Sequence, residues 1–145
     1  MCCEPGGRYA VMTWDRHEVN PWLGLVLDAV SAQFGMPFPP PNVRGPFSLD
    51  TPDALLSVLR DGGLDEVTVI AMSTPMHAAS IEEWWERVPK LAGPLALALA
   101  EMDADVRDAI RERATQTGAN AAASEGDGIV FDGSVLIGSG HKTAD

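Results

Sequence analysis

Apolar positions along this chain follow two periods. Tyr9 to Trp14 is a short apolar run entered through a Gly6-Gly7 turn. Val11 and Thr13 face one side of it, and Ala10, Met12 and Trp14 face the other. Sizeable groups on both sides predict a strand inside a parallel sheet, covered by helices on both faces. Such a strand needs neighbours, and the residues before Pro5 offer none. A second strand is predicted over Leu64 to Met72, where Val67, Val69 and Ala71 alternate with Thr68, Ile70 and Met72. Ile129 to Phe131 and Val135 to Ile137 are also strand-like. Asp132-Gly133 between them is a hairpin signal, so a small hairpin or one kinked strand fits.

The helical period occupies the segments between. Asn20 is placed to cap a helix with Pro21 at its first position. Trp22, Val26, Val30 and Phe34 fall four apart, Leu23 and Leu27 widen the stripe, and Gly35 ends it. Pro37 to Pro41 is a stiff, extended connector. Gly45-Pro46-Phe47-Ser48-Leu49 is a loop with an apolar centre. Thr51-Pro52 starts a helix with Leu55, Leu56 and Leu59 on one face, and Asp61-Gly62-Gly63 stops it. Helix, Gly-Gly and strand together make half of an α/β crossover. Ser80-Ile81-Glu82-Glu83 is a capping box opening a helix with Trp84, Trp85 and Val88 inward and Pro89 as its limit. Gly93-Pro94 opens another through Ala100. Asp103 to Thr117 is amphipathic, with Val106 and Ile110 inward. Ala119 to Gly128 is predicted to be a mobile loop, and His141 to Asp145 a frayed end.

Composition narrows the classes of function. The chain has 145 residues, the size of one domain. The net charge of −11 argues against nucleic acid or an anionic membrane as partner, because both require a basic face. No 18-residue apolar run exists to span a bilayer. Met1-Cys2-Cys3-Glu4 lacks the basic and apolar regions of a signal peptide, which leads us to expect a reduced, cytoplasmic protein. The two adjacent cysteines lack further ligands at metal spacing.

Most chemical motifs fail on their spacing. Gly138-Ser139-Gly140-His141-Lys142-Thr143 resembles the end of a phosphate loop, but His141 interrupts it and no helix follows. There is no Gly-x-Gly-x-x-Gly, no Gly-x-Ser-x-Gly and no helical His pair among His17, His77 and His141. Glu82, Glu83 and Glu86 form a solvated helix face. Trp84-Trp85 reads first as core or subunit packing and second as a grip on a flat ligand. Trp14, Asp15, His17 and Asn20 lie at the carboxyl end of the first strand, where open parallel sheets bind ligands; the alternative is that Asn20 only caps and Trp14 only packs.

Pro5-Gly6-Gly7-Arg8-Tyr9-Ala10-Val11-Met12-Thr13-Trp14 is similar to the Pro-Gly-Gly-Arg turn and fifth sheet strand of class I S-adenosylmethionine-dependent methyltransferases, in the branch of the ubiquinone and menaquinone methyltransferases. Asn20-Pro21-Trp22, Gly45 to Leu49, the Gly-Gly before the Leu64–Met72 strand, the helices from Ser80 to Thr117 and a last strand over Val135 to Gly140 follow that branch's order. The resemblance spans nearly the whole chain and implies a partial Rossmann-like sheet. That sheet would have about three strands, the last antiparallel, with a helical insert. Its segments would be a strand at 5–14, lid and crossover helices at 20–60, a strand at 64–72, the insert at 80–117 and a terminal strand or hairpin at 129–140. The resemblance implies the acceptor side of such an enzyme, with Trp14, Asn20, Trp22 and Phe47 as candidates to line the pocket of a small apolar methyl acceptor.

S-adenosylmethionine is the family's cofactor, yet the acidic Gly-x-Gly loop and the ribose-binding acid that hold it have no counterpart here, so this chain alone is not expected to bind it. The family acts by holding a nucleophile in line with the donor, so no catalytic residue carries over. The bare edge of the Tyr9–Trp14 strand would pair with a second copy or with a cofactor-binding partner chain.

Overall fold

A computed structural model describes residues 4–143. Met1, Cys2 and Cys3, on which the expectation about the leading segment partly rests, lie outside the described residues. The protein is mixed α/β. Its elements are β1 (Arg8–Trp14), a single 3-10 turn (His17–Val19), α1 (Pro21–Phe34), α2 (Pro52–Asp61), β2 (Asp65–Ser73), β3 (Met76–Ala78), α3 (Ile81–Leu91), α4 (Gly93–Glu101), α5 (Ala104–Ala121), β4 (Ala123–Glu125), β5 (Gly128–Phe131) and β6 (Ser134–His141). They form two compact units. Among the described residues, one contains residues 4–16, 46–74 and 134–143, and the other contains residues 17–45 and 75–133.

The first unit is a three-stranded sheet in the order β1-β6-β2. β6 runs antiparallel to both neighbours, so β1 and β2 are parallel to each other with β6 between them. α2 covers one face. Thr51 caps it by accepting the Ala54 N–H at 3.2 Å, which satisfies one of the amides left open in a first turn. Leu55 and Leu59 of α2 then pack with Leu64, Val67 and Leu136, flanked by Tyr9, Val11 and Val69. Gly138 permits this approach, since a Cβ there would lie 2.6 Å from Leu59 Cδ1.

The other sheet face departs from the expectation of cover on both sides. Met12 is 58% exposed, Ile70 60% and Met72 47%. β1 is an edge strand whose one strand partner among the described residues is antiparallel. Apolar groups on both faces of a strand state what the sequence could bury, and here α2 buries only one of them.

The second unit packs α1 against α5 and α3. The α1 stripe is buried at Trp22, Leu23, Val26, Leu27 and Val30, but Phe34 in the last turn is 49% exposed, contrary to its predicted inward role. Gly35 closes the helix in the left-handed region (φ 67°), where the absence of Cβ removes the steric cost. Ser80 caps α3 by accepting the Glu83 N–H at 3.1 Å, and Glu83 returns to the Ala79 N–H at 2.8 Å. α3 continues two residues past Pro89, which sits in its last turn. Trp84 stacks on Phe131 with ring centroids 4.8 Å apart, and its indole donates to the Trp22 carbonyl at 2.8 Å.

Three expectations for the C-terminal third are corrected. The segment Ala119 to Gly128 is not a loop throughout, because α5 runs to Ala121 and β4 and β5 form a hairpin. Its turn lies at Gly126, which takes the positive φ of 57°. Asp132-Gly133 makes neither a hairpin nor a kink in one strand. It separates β5, in the sheet β3-β5-β4, from β6 in the other sheet. From His141 to Thr143 the end is not frayed: His141 pairs with Arg8, the Lys142 N–H bonds the Gly7 carbonyl at 3.0 Å and Thr143 bonds Asp65 at 2.8 Å, while Ala144 and Asp145 lie outside the described residues.

Candidate functional site

The carboxyl ends of β1 and β2 lie at the same end of the first unit's sheet, because the two strands are parallel. Trp14 closes β1 there and is half-buried. Its cross-strand neighbour is Val135, which in turn pairs with Met72, so the three occupy one row on the sheet face away from α2. Thr13, beside Trp14, donates its hydroxyl to the Leu49 carbonyl at 3.0 Å. That bond draws the loop containing Phe47, also half-buried, toward the strand end. Trp14 and Phe47 thus both belong to the first unit, but the bonded Leu49 packs with the α2-side core while Trp14 faces the other side of the sheet.

Asp15 follows Trp14 and is held on several sides. The Ser134 hydroxyl donates to its Oδ2 at 2.8 Å, the Arg16 N–H to its Oδ1 at 2.7 Å, and its own N–H bonds the Ser134 carbonyl at 3.1 Å. The carboxylate thus serves to tie the end of β1 to the start of β6.

Asn20 and Trp22 belong to the second unit. Asn20 is 0% exposed and Trp22 2%. The expected side-chain cap does not form: no cap bond is made by Asn20, and its Oδ1 instead accepts the Trp22 indole N–H at 3.1 Å. Burying an indole N–H without an acceptor is costly, and this demand outweighs capping at this position. The Asn20 carbonyl still opens the helix by accepting from Leu23 and Gly24. His17 lies on the same entry turn, 3.0 Å from Asp28 and 3.2 Å from the Gly24 carbonyl.

Two groupings had no signal in the sequence. His77 of β3 and Glu125 of β4 meet at 2.6 Å across the second sheet, both more than half exposed. Arg87 of α3 pairs with Glu83 at 3.2 Å, donates to the His77 carbonyl, and reaches the Met76 sulfur at 3.4 Å, fastening α3 to β3. Neither partner segment is periodic enough to announce a strand. Among the described residues no group of three or more His, Cys, Asp or Glu could hold a metal ion, and no helix is long and apolar enough to cross a membrane.

S-adenosylmethionine can be tested against the residues after β1, where the sheet geometry would present a ligand. The amides of Asp15, Arg16 and Asn20 are already bonded to Ser134, Asp15 and His17. No glycine occurs between Trp14 and Gly24 to let a backbone approach a nucleoside. The Asp15, Arg16 and Asn20 amides after β1 are therefore not free to hold the donor. No family model and no curated protein matches this sequence.

Proposed function

We propose that this chain is a methyltransferase-family protein corresponding to the acceptor side, the C-terminal half, of an S-adenosylmethionine-dependent methyltransferase, and that it does not bind the methyl donor alone. The observation carrying the reading is the insertion of β6, antiparallel, between the parallel strands β1 and β2, with α2 packed beneath. The resemblance implies about three strands with the last antiparallel. Trp14 and Phe47 are its nearest candidates for an apolar acceptor wall. Asn20 and Trp22 stiffen the start of α1. No step of methyl transfer is assigned to a residue, since the Asp15, Arg16 and Asn20 amides after β1 are not free to hold the donor. The test is the coding frame upstream of Met1. An in-frame Glu/Asp-x-Gly-x-Gly following an apolar strand supports the reading, and its absence from the whole upstream region removes it.

A second reading is a non-catalytic assembly module that pairs through the β1 edge. It is favoured by Met12 and Ile70, exposed on either side of the half-buried Ile137 in one row on the sheet face away from α2, so that exposed apolar groups reach the edge strand. Such a module retains its binding role whether or not a donor site exists elsewhere.

A further inference from the structure

The two edges of the first unit's sheet are built differently. β2 begins with a register irregularity between Asp65 and Thr68, places Glu66 in the left-handed region at φ 48°, and sets two carboxylates side by side. Bulges and charges of this kind stop another strand from adding. β1 has neither a bulge nor a carboxylate, and its one charge is Arg8 at its start. Its seven residues, Arg-Tyr-Ala-Val-Met-Thr-Trp, contain no proline, no lysine and no break in register with β6.

The direction of its backbone groups follows from the ladder. The Lys142 N–H bonds the Gly7 carbonyl, and the Asp15 N–H bonds the Ser134 carbonyl. Antiparallel pairing alternates, so Tyr9, Val11 and Thr13 also bond to β6. Ala10 and Met12 then direct N–H and C=O away from it, along the edge. Both side chains are exposed as well.

We propose that this edge recognises a second copy of the chain. Two β1 strands pair antiparallel about a two-fold axis at Val11, joining two three-stranded sheets into one of six. The inference rests on the assembly reading above and names its partner. The sequence of β1 selects the register. Centred on Val11, Ala10 exchanges two backbone bonds with the partner's Met12, and Arg8 lies opposite the partner's Trp14. A guanidinium beside an indole is a favourable pair. A shift by two residues in one direction sets Arg8 against Arg16, a like-charge contact; a shift in the other sets Trp14 against Gly6. In the Val11 register no like charges within β1 face each other, and Met12 gains cover from Ala10 of the second strand.

The experiment is sedimentation of the full chain together with amide exchange measured residue by residue. The wild type is expected to sediment at twice 15.4 kDa. The Ala10 and Met12 amides are expected to exchange as slowly as that of Val11. Ala10→Pro removes an outward donor, and Met12→Lys adds an edge charge; neither disturbs a bond to β6. Both variants are expected to halve the mass while the far-ultraviolet circular dichroism stays unchanged. Ile70→Lys, on the same face but in β2, is expected to keep the dimer. A wild type at 15.4 kDa with freely exchanging Ala10 and Met12 amides overturns self-pairing, as does a dimer that survives both edge variants. Adding the isolated donor-binding half of an S-adenosylmethionine methyltransferase to a monomeric chain then separates the two ideas. Protection of Ala10 and Met12 by that partner leaves the edge reading standing and self-pairing refuted. Continued free exchange refutes both.

Discussion

Gly118 of α5 lies against the ring of Trp84, so closely that a Cβ at position 118 would come within 2.7 Å of Trp84 Cζ3 and 3.0 Å of Ile81 Cδ1. The contact decides the sign of a substitution that helix propensity alone would get wrong. Alanine is favoured over glycine by about 1 kcal/mol in a helix interior. Here the indole is fixed on one side by its bond to the Trp22 carbonyl and on the other by Phe131. We predict that Gly118→Ala destabilises the protein, by about 1–3 kcal/mol from overpacking, as a lowered urea midpoint with unchanged slope.

Gly138 plays the matching part in the first unit. A side chain there meets Leu59 Cδ1 at 2.6 Å and Leu55 at 3.1 Å. Gly138→Val is expected to cost on the order of 1–3 kcal/mol. Leu59→Ala alone opens a cavity and costs about 2–5 kcal/mol. Together the two changes should cost less than their sum, because valine fills part of the space the leucine vacates. A double-mutant cycle in urea measures that coupling.

Asn20 separates a cap from a buried acceptor. Thr51→Ala removes a side-chain cap and is expected to cost about 1 kcal/mol. Asn20→Ala instead removes the acceptor of the buried Trp22 indole, a loss of about 1–3 kcal/mol. Asn20→Ala should therefore lower the thermal midpoint more than Thr51→Ala, although Asn20 makes no cap bond.

Salt gives a further test of self-pairing. Each chain has a net charge of −11, so two copies repel at low ionic strength. Screening shortens to about 10 Å at 0.1 M salt. The dimer fraction in sedimentation should rise as sodium chloride is raised from low concentration, whereas assembly dominated by opposite charges would dissociate.

The sequence made some parts of this fold legible for physical reasons that can be named. Alternation over Leu64 to Met72 marked β2 to within a residue at each end, because one face of that strand meets Leu55 and Leu59. Thr51 and Ser80 announced their helices because both hydroxyls do accept first-turn amides. β3 and β4 were not legible: three residues each, Met-His-Ala and Ala-Ser-Glu, are too short to show a period. Asp132-Gly133 gave a turn signal where the chain passes from one sheet to the other, while the hairpin turn itself lies at Gly126. The site was legible only in part. Trp14 and Phe47 stand near a strand end in one unit. The resemblance offers Asn20 and Trp22 by their position in the chain, and in the structure they are buried and bonded to each other at the start of α1.

The proposed function holds that the chain supplies the acceptor side of a methyltransferase and does not bind the methyl donor alone. Calorimetric titration of S-adenosylmethionine into the lone protein tests this most directly. The account predicts dilution heats only, with no saturation. Saturable binding at one donor per chain would contradict it.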